Sequence, residues 1–192
     1  MTTASFKPGR FGVTLAPRVL QQLRASLERD TGLQAATYLQ EAGFAGGEAL
    51  HTAFSAWLGD AYGIERPGEL DAQYLSEALW RFFAELGWGT LSVTPLGGST
   101  LAIDSPDWAE AVSDAKGEYP SCHLTCGLLA DFLGRISEGP VAVMEVECRS
   151  RGDAGCRFLA GSPETLSTLY ERMAQGSSYG EALGIAATGH PA

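Results

Sequence analysis

Apolar residues recur at a helical period along the first half of the chain, and at an alternating period along parts of the second. From Pro17 onward, Val19, Leu20, Leu23 and Leu27 share one helical face, with proline at a favoured first position and Gly32 as a stop. A second helical stretch runs from about Gln34 to Asp60 on Ala35, Tyr38, Leu39, Ala42, Leu50, Phe54 and Trp57, interrupted by "GFAGGEA". Those small residues read as a helix break or as close helix packing. As a phosphate loop, Gly46-Gly47 follows a helix rather than a strand and lacks a downstream Lys-Ser/Thr. After a turn at Pro67-Gly68, "ELDAQYLSEALWRFFAELG" predicts a helix with Tyr74, Leu75, Leu79, Phe82, Phe83 and Leu86 on its apolar face.

Past Gly87 the period changes. Two strands near 88–94 and 99–104 are expected, joined at Gly97-Gly98. Asp104, Ser105 and Pro106 open a further expected helical segment bearing Trp108, Ala111 and Val112, and "CHLTCGLLADFLGRIS" is helical by period. A second hairpin, 140–148 with 155–160, turns at Gly152-Asp153. "SPETLSTLYERMAQG" closes the pattern with a capping serine, an early proline and an acidic first turn. Helices first and hairpins later predict an α+β fold: an antiparallel four- or five-stranded sheet with helices mainly on one face. The expected organisation is an N-terminal extension at 1–16, one domain at 17–185 and a tail at 186–192.

Composition narrows the function classes. In 192 residues, 13 basic side chains face 23 acidic ones, a formal charge of −10. No Lys/Arg cluster offsets this, so nucleic acid is not an expected partner. No apolar run reaches the length of a bilayer span, and "MTTASFKPGRFGVTLAP" lacks the continuous apolar stretch of a secretion signal. The expected location is cytoplasmic, where thiols stay reduced.

Candidate chemistry lies in the four cysteines. Cys148 and Cys156 flank Gly152 and are expected opposite each other on one face of the hairpin, while Cys122 and Cys126 share a face of the preceding helix. Glu145 precedes Cys148 by three positions, so strict alternation sends the two to opposite faces. A shared site requires a bulge or the end of the strand nearby. Metal ligation, buried thiols and a disulfide all remain open on spacing alone.

The stretch "CHLTCGLLADFLGRISEGPVAVMEVECRSRGDAGCRF" resembles the core of the 4-vinyl reductase, or hydrocarbon-binding, domain family. The resemblance rests on a cysteine with a glycine five residues on, a helix, a Pro-led strand with Glu-Val-Glu-Cys, then Gly-Asp and Cys-Arg-Phe. The same pattern occurs in the sensory domains of phenol-responsive bacterial transcription activators. The resemblance implies a structural zinc ion on Cys122, Glu145, Cys148 and Cys156, a TRAPP-subunit-like fold, and a homodimer formed through helices. Cys126 has no role in that pattern and competes with Glu145 as fourth ligand. His123, adjacent to Cys122 on the helix, points about 100° away.

No nucleophile elbow, P-loop or dinucleotide fingerprint accompanies this motif, and His51, His123 and His190 lack metalloprotease spacing. The expected function is a stand-alone sensor or carrier of an apolar or aromatic small molecule. Trp57, Tyr74, Trp80, Phe83 and Trp88 are candidate pocket residues, with Trp80, Phe83 and Trp88 foremost, against the plainer reading of core packing. The resemblance also admits an accessory factor or enzyme of bacteriochlorophyll biosynthesis linked to vinyl reduction, or an interaction scaffold of the TRAPP-subunit type.

Overall fold

The computed structural model describes residues 16–97, 99–113 and 115–184. Gly98, His190, the expected extension up to residue 15 and the tail at 186–192 lie outside the described residues. Among the described residues, six helices and four strands follow in the order α1 (Pro17–Thr31), α2 (Gln34–Tyr62), α3 (Ala72–Leu86), β1 (Ser92–Gly97), β2 (Thr100–Ser105), α4 (His123–Ser137), β3 (Ala142–Glu147), β4 (Cys156–Gly161), α5 (Pro163–Ala174) and α6 (Tyr179–Leu183). A 3-10 turn at Pro67–Glu69 links α2 to α3. The sheet is antiparallel throughout, in the order β1-β2-β4-β3.

Helix α2 does not break at "GFAGGEA"; it runs on through all 29 of its residues. The glycines serve instead as a packing surface. A Cβ at Gly43 would stand 1.9 Å from the Leu124 carbonyl oxygen, and one at Gly127 would stand 1.9 Å from that of Gln40. The backbones of α2 and α4 therefore touch, an approach that any side chain at either position forbids. Farther along the same crossing, a Cβ at Gly47 would meet the Asp131 side chain at 2.4 Å.

Alternation along the strands sorts the core into two layers. On one face Ile103, Phe158 and Ala160 pack with Phe54, Phe82, Phe83, Leu129 and Phe132 from α2, α3 and α4. Ring contacts at 5.0–5.9 Å link Phe54, Phe82, Phe83 and Phe132, and Trp108 joins them to Phe158 at 6.2 Å. On the other face Ala102, Val146 and Leu159 pack with Leu166, Leu169 and Ala182 from α5 and α6. The sheet is thus covered on both faces, with the larger helical layer on one.

Two expectations from periodicity shift. β1 starts at Ser92 rather than near 88, because Trp88 is still held by the end of α3, its N–H donating to the Phe83 carbonyl at 3.1 Å. The helix expected after Asp104 does not form: residues 106–113 are an irregular segment. The Asp107 carboxylate holds its base by accepting from the Thr90 N–H and hydroxyl at 2.7 and 2.9 Å. Trp108, Ala111 and Glu110 are buried because this segment folds inward, not because they share a helical face.

Candidate metal centre

Cys122 is the N-cap residue of α4, Glu145 lies on β3, Cys148 follows that strand, and Cys156 opens β4. Pairing along β3 and β4 runs regularly from Ala142↔Gly161 to Glu145↔Phe158, then skips Val146 and resumes at Glu147↔Arg157. This bulge resolves the phase problem posed by the sequence. The extra residue turns Glu145 and Cys148 to the same face, so that one sulfur or oxygen atom from each of Cys122, Glu145, Cys148 and Cys156 lies within 4.8 Å of all the others.

The three cysteines are 0–1% exposed and Glu145 is 8% exposed. Cys122 and Cys148 sulfurs stand 3.9 Å apart, close to the roughly 3.8 Å edge of a tetrahedron built on ~2.3 Å metal–sulfur bonds. Glu145 Oε2 accepts the Cys122 N–H at 2.7 Å, whereas its Oε1, fully buried, has no hydrogen-bond partner among the described residues. A buried carboxylate oxygen left bare is costly, and a cation among these sulfurs would supply what it lacks. The residues fit a metal: thiolates with one carboxylate are a four-ligand set for a borderline-soft dication.

The electrostatics point the same way. Contacts with the thiols of Cys122 and Cys156 hold Cys148 well below the ordinary thiol range, while those with Cys148 and Cys156 push Cys122 far above it. Burial, followed by the charge of Cys148, pushes Glu145 up to about 8. Protein groups alone thus crowd acids together in a dry site with no basic residue among the four.

The start of α4 is held from a second side by a residue that spacing did not single out. Glu110, 4% exposed, accepts the Leu124 N–H at 3.1 Å, the Thr125 N–H at 2.8 Å and the Thr125 hydroxyl at 2.5 Å. Thr125 in turn accepts from the Trp108 indole N–H at 2.7 Å. Burial raises the Glu110 pKa despite these donors. Arg24 of α1, 8% exposed, donates to the Ser121 hydroxyl at 2.9 Å and so ties α1 to the residue before Cys122.

Cys126 and His123 are not part of the four-residue group. Cys126 is buried on the next turn of α4, at the wall of a groove of about 310 Å³ shared with Gln40, Phe44 and Val143. Burial raises its pKa well above the ordinary thiol value. Among the aromatic candidates, Phe83 is fully buried, Trp88 packs on Trp108 at 5.6 Å, and Trp80 is 48% exposed. Trp57 is buried, its indole N–H donating to Glu85 at 3.0 Å. Tyr74 lines a cavity of about 370 Å³ with Leu58, Tyr62, Ile64, Leu70 and Ala78. The cavity is a mostly apolar recess between the end of α2 and α3, in which Glu77 is the ionisable acid.

Residues 109–162 match the family model of the 4-vinyl reductase domain. The match is confined to this segment, under a third of the chain. The matched segment holds Glu110, all four residues of the metal group and Gly127, the glycine on which α2 and α4 cross. An uncharacterised protein of Methanocaldococcus jannaschii is 35% identical over 80 residues, 42% of this chain and 42% of that protein. The match thus spans less than half of that relative's length.

Solved structures extend the likeness beyond the matched segment. The phenol-responsive sensory domain of the transcription activator PoxR aligns with a TM-score of 0.61 at 19% identity, over 86% of this chain and 84% of that one. Subunit 3 of the trafficking protein particle complex of Naegleria fowleri gives 0.58 at 17% identity, over 76% and 91%. A vinyl-4-reductase family protein of Methanocaldococcus jannaschii gives 0.52 at 22% identity, over 77% and 82%. At these identities the likeness establishes a shared, TRAPP-like fold. Among the described residues, no helix is long and apolar enough to cross a membrane.

Proposed function

We propose that this protein is a sensor or carrier module for a small apolar or aromatic molecule, built around a structural zinc ion and working as a homodimer. The observation that carries the metal reading is the bare, buried Oε1 of Glu145 among three buried sulfurs. Zinc suits this set because it takes four protein ligands without redox chemistry, and a site filled by four side chains leaves no open position for catalysis. The ion ties α4 to the β3–β4 hairpin, so its role here is to hold the fold.

The apolar recess between α2 and α3 is the ligand site in this reading. Its 370 Å³ falls within the range of small-molecule pockets, and its walls are mostly apolar, with Tyr62, Tyr74 and Glu77 as the residues along them that carry polar groups. The crystallised PoxR sensory domain holds phenol, and the Naegleria subunit is covalently bound to palmitic acid. Each is a mostly apolar organic molecule with one polar group, on this fold. Exposed Val19 and Leu23 on α1, with Leu33, Tyr38 and Phe44 nearby in the chain, offer apolar area for a second copy.

Native mass spectrometry and metal analysis of the purified protein test the reading together. One zinc per chain, a dimer, and saturable binding of phenol that Ala78→Trp abolishes are the expected results. A metal-free protein whose thiols all titrate freely removes the zinc reading. Phenol and fatty-acid titrations that leave the melting temperature unmoved remove the ligand reading.

A further inference from the structure

The bulge at Val146 serves two faces of the sheet at once. Inward it sets Glu145 and Cys148 into the metal group. Outward it leaves the side chain of Glu147 beside α6, where its Oε1 accepts the Tyr179 hydroxyl at 2.5 Å. Arg157, paired with Glu147 in the ladder and next to Cys156 in sequence, donates to the Tyr179 oxygen at 2.9 Å and to both Asp104 carboxylate oxygens at 2.6 and 3.2 Å. Its guanidinium also lies 5.9 Å from the Tyr179 ring centre. Arg151 secures the bulge itself, donating to the Val146 carbonyl at 2.9 Å, while the Cys148 N–H is held by Asp153 at 2.7 Å.

Without the skipped residue, the register set by Glu145↔Phe158 would continue and every later side chain of β3 would change face. Glu147 would turn inward and leave Tyr179, and Cys148 would turn outward and leave Cys122 and Cys156. The metal ligands and the α6 contacts therefore need the same register. Neither set is complete in the other one.

We propose that metal occupancy and the docking of α6 are coupled through this bulge, with Tyr179, Glu147 and Arg157 acting as positioning residues for the metal group. The proposal rests on the metal reading above. A bound ion holds the bulged register and so holds α6 on the sheet, and α6 docking raises metal affinity by the same factor, because coupling between two binding events is reciprocal. The short helix α6 thereby reports the state of a site on the opposite face of the sheet.

The test uses the full chain with zinc and a chromophoric chelator as competitor. Tyr179→Phe keeps the ring and removes the hydroxyl, and is expected to weaken zinc about fivefold or more. It should also alter the visible spectrum of the cobalt-substituted site, which a purely structural loss elsewhere does not move. Tyr170→Phe, on the exposed side of α5, is expected to leave both unchanged. Hydrogen exchange of the 179–184 amides should quicken at least fivefold when the wild type is stripped, ahead of the α2–α4 core. Wild-type affinity and cobalt spectrum in Tyr179→Phe overturn the coupling while the metal reading stands. Wild-type protein that binds no zinc overturns both.

Discussion

Replacing Gly127 by alanine adds a single methyl group where two helix backbones meet. Its Cβ would lie 1.9 Å from the Gln40 carbonyl oxygen, 2.7 Å from the carbonyl carbon and 2.8 Å from the Phe44 nitrogen. Backbone atoms cannot step aside as a side chain does, so α2 and α4 must part by roughly 1.5 Å to restore ordinary contact. Overpacking of this kind costs about 1–3 kcal/mol or more, against which alanine regains ~1 kcal/mol of helix propensity. Because the parting also opens the aromatic layer around Phe54 and Phe132, we place the net loss at about 2 kcal/mol or more, or about 4–8 °C in melting temperature for a chain of this size. Urea and thermal unfolding followed by circular dichroism measure it. Gly59→Ala supplies the opposite sign: its Cβ would meet nothing nearer than the Ile64 oxygen at 3.9 Å, so a gain of about 0.5–1 kcal/mol is expected. Gly43→Ala clashes across the same crossing, at 1.9 Å from the Leu124 oxygen, so the double variant should cost clearly less than the sum of the singles. A Gly127→Ala protein as stable as the wild type, or full additivity with Gly43→Ala, refutes the argument that this crossing is set by backbone contact.

Three further expectations concern the candidate metal group and the start of α3. Cys148→Ser and Cys156→Ser should each lower metal content and melting temperature together, whereas Cys126→Ser, outside the group, should change metal content little; elemental analysis with calorimetry checks both. Metal affinity should rise with pH through neutrality. Glu145 is pushed up to about 8 by burial and the Cys148 charge, and Cys122 lies higher still, so loading displaces protons and affinity gains about tenfold per pH unit for each proton released; competition titrations at several pH values measure the slope, and a flat profile removes the coupling to these groups. Asp71→Ala should cost about 1 kcal/mol in urea unfolding, because its carboxylate caps α3 by accepting the Gln73 and Tyr74 N–H groups at 3.0 Å.

Much of this fold is legible because its long elements carry a clean period. The apolar stripe of α3, the Pro17 start of α1 and the hairpin around Gly152 all survive into the structure. The phase conflict between Glu145 and Cys148 was legible too, as a demand for a bulge or a strand end. Other features lacked a readable signal for identifiable reasons. Trp108, Ala111 and Val112 have helical spacing, yet the segment is held by side-chain bonds through Asp107, Trp108 and Glu110 that leave no period in the sequence. Glu110 is a single acid in a loop, and only its burial beside Trp108 and Ala111 distinguishes it from a solvated one. Helix α6 was missed although Ser178 and Glu181 form a capping box, a local signature that five residues of helix are too short to support by periodicity. The glycines of "GFAGGEA" allowed both a break and a close crossing, and only the partner glycine on α4 decides between them.

The strand order carries a kinetic consequence. β1 meets β2 and β3 meets β4 across short connections, but the central seam joins Ile103 to Phe158 with a loop, α4 and β3 threaded between them. Local pairs close early and distant ones wait for the chain between them to be ordered, so this seam is expected to form late, after the docking of α4 on α2. Cys122 and Cys156 come together only when that intervening segment is in place. An ion bound there would then stabilise the native state and not the transition state. Stripping it is therefore expected to raise the unfolding limb of a chevron and to leave the refolding limb where it was.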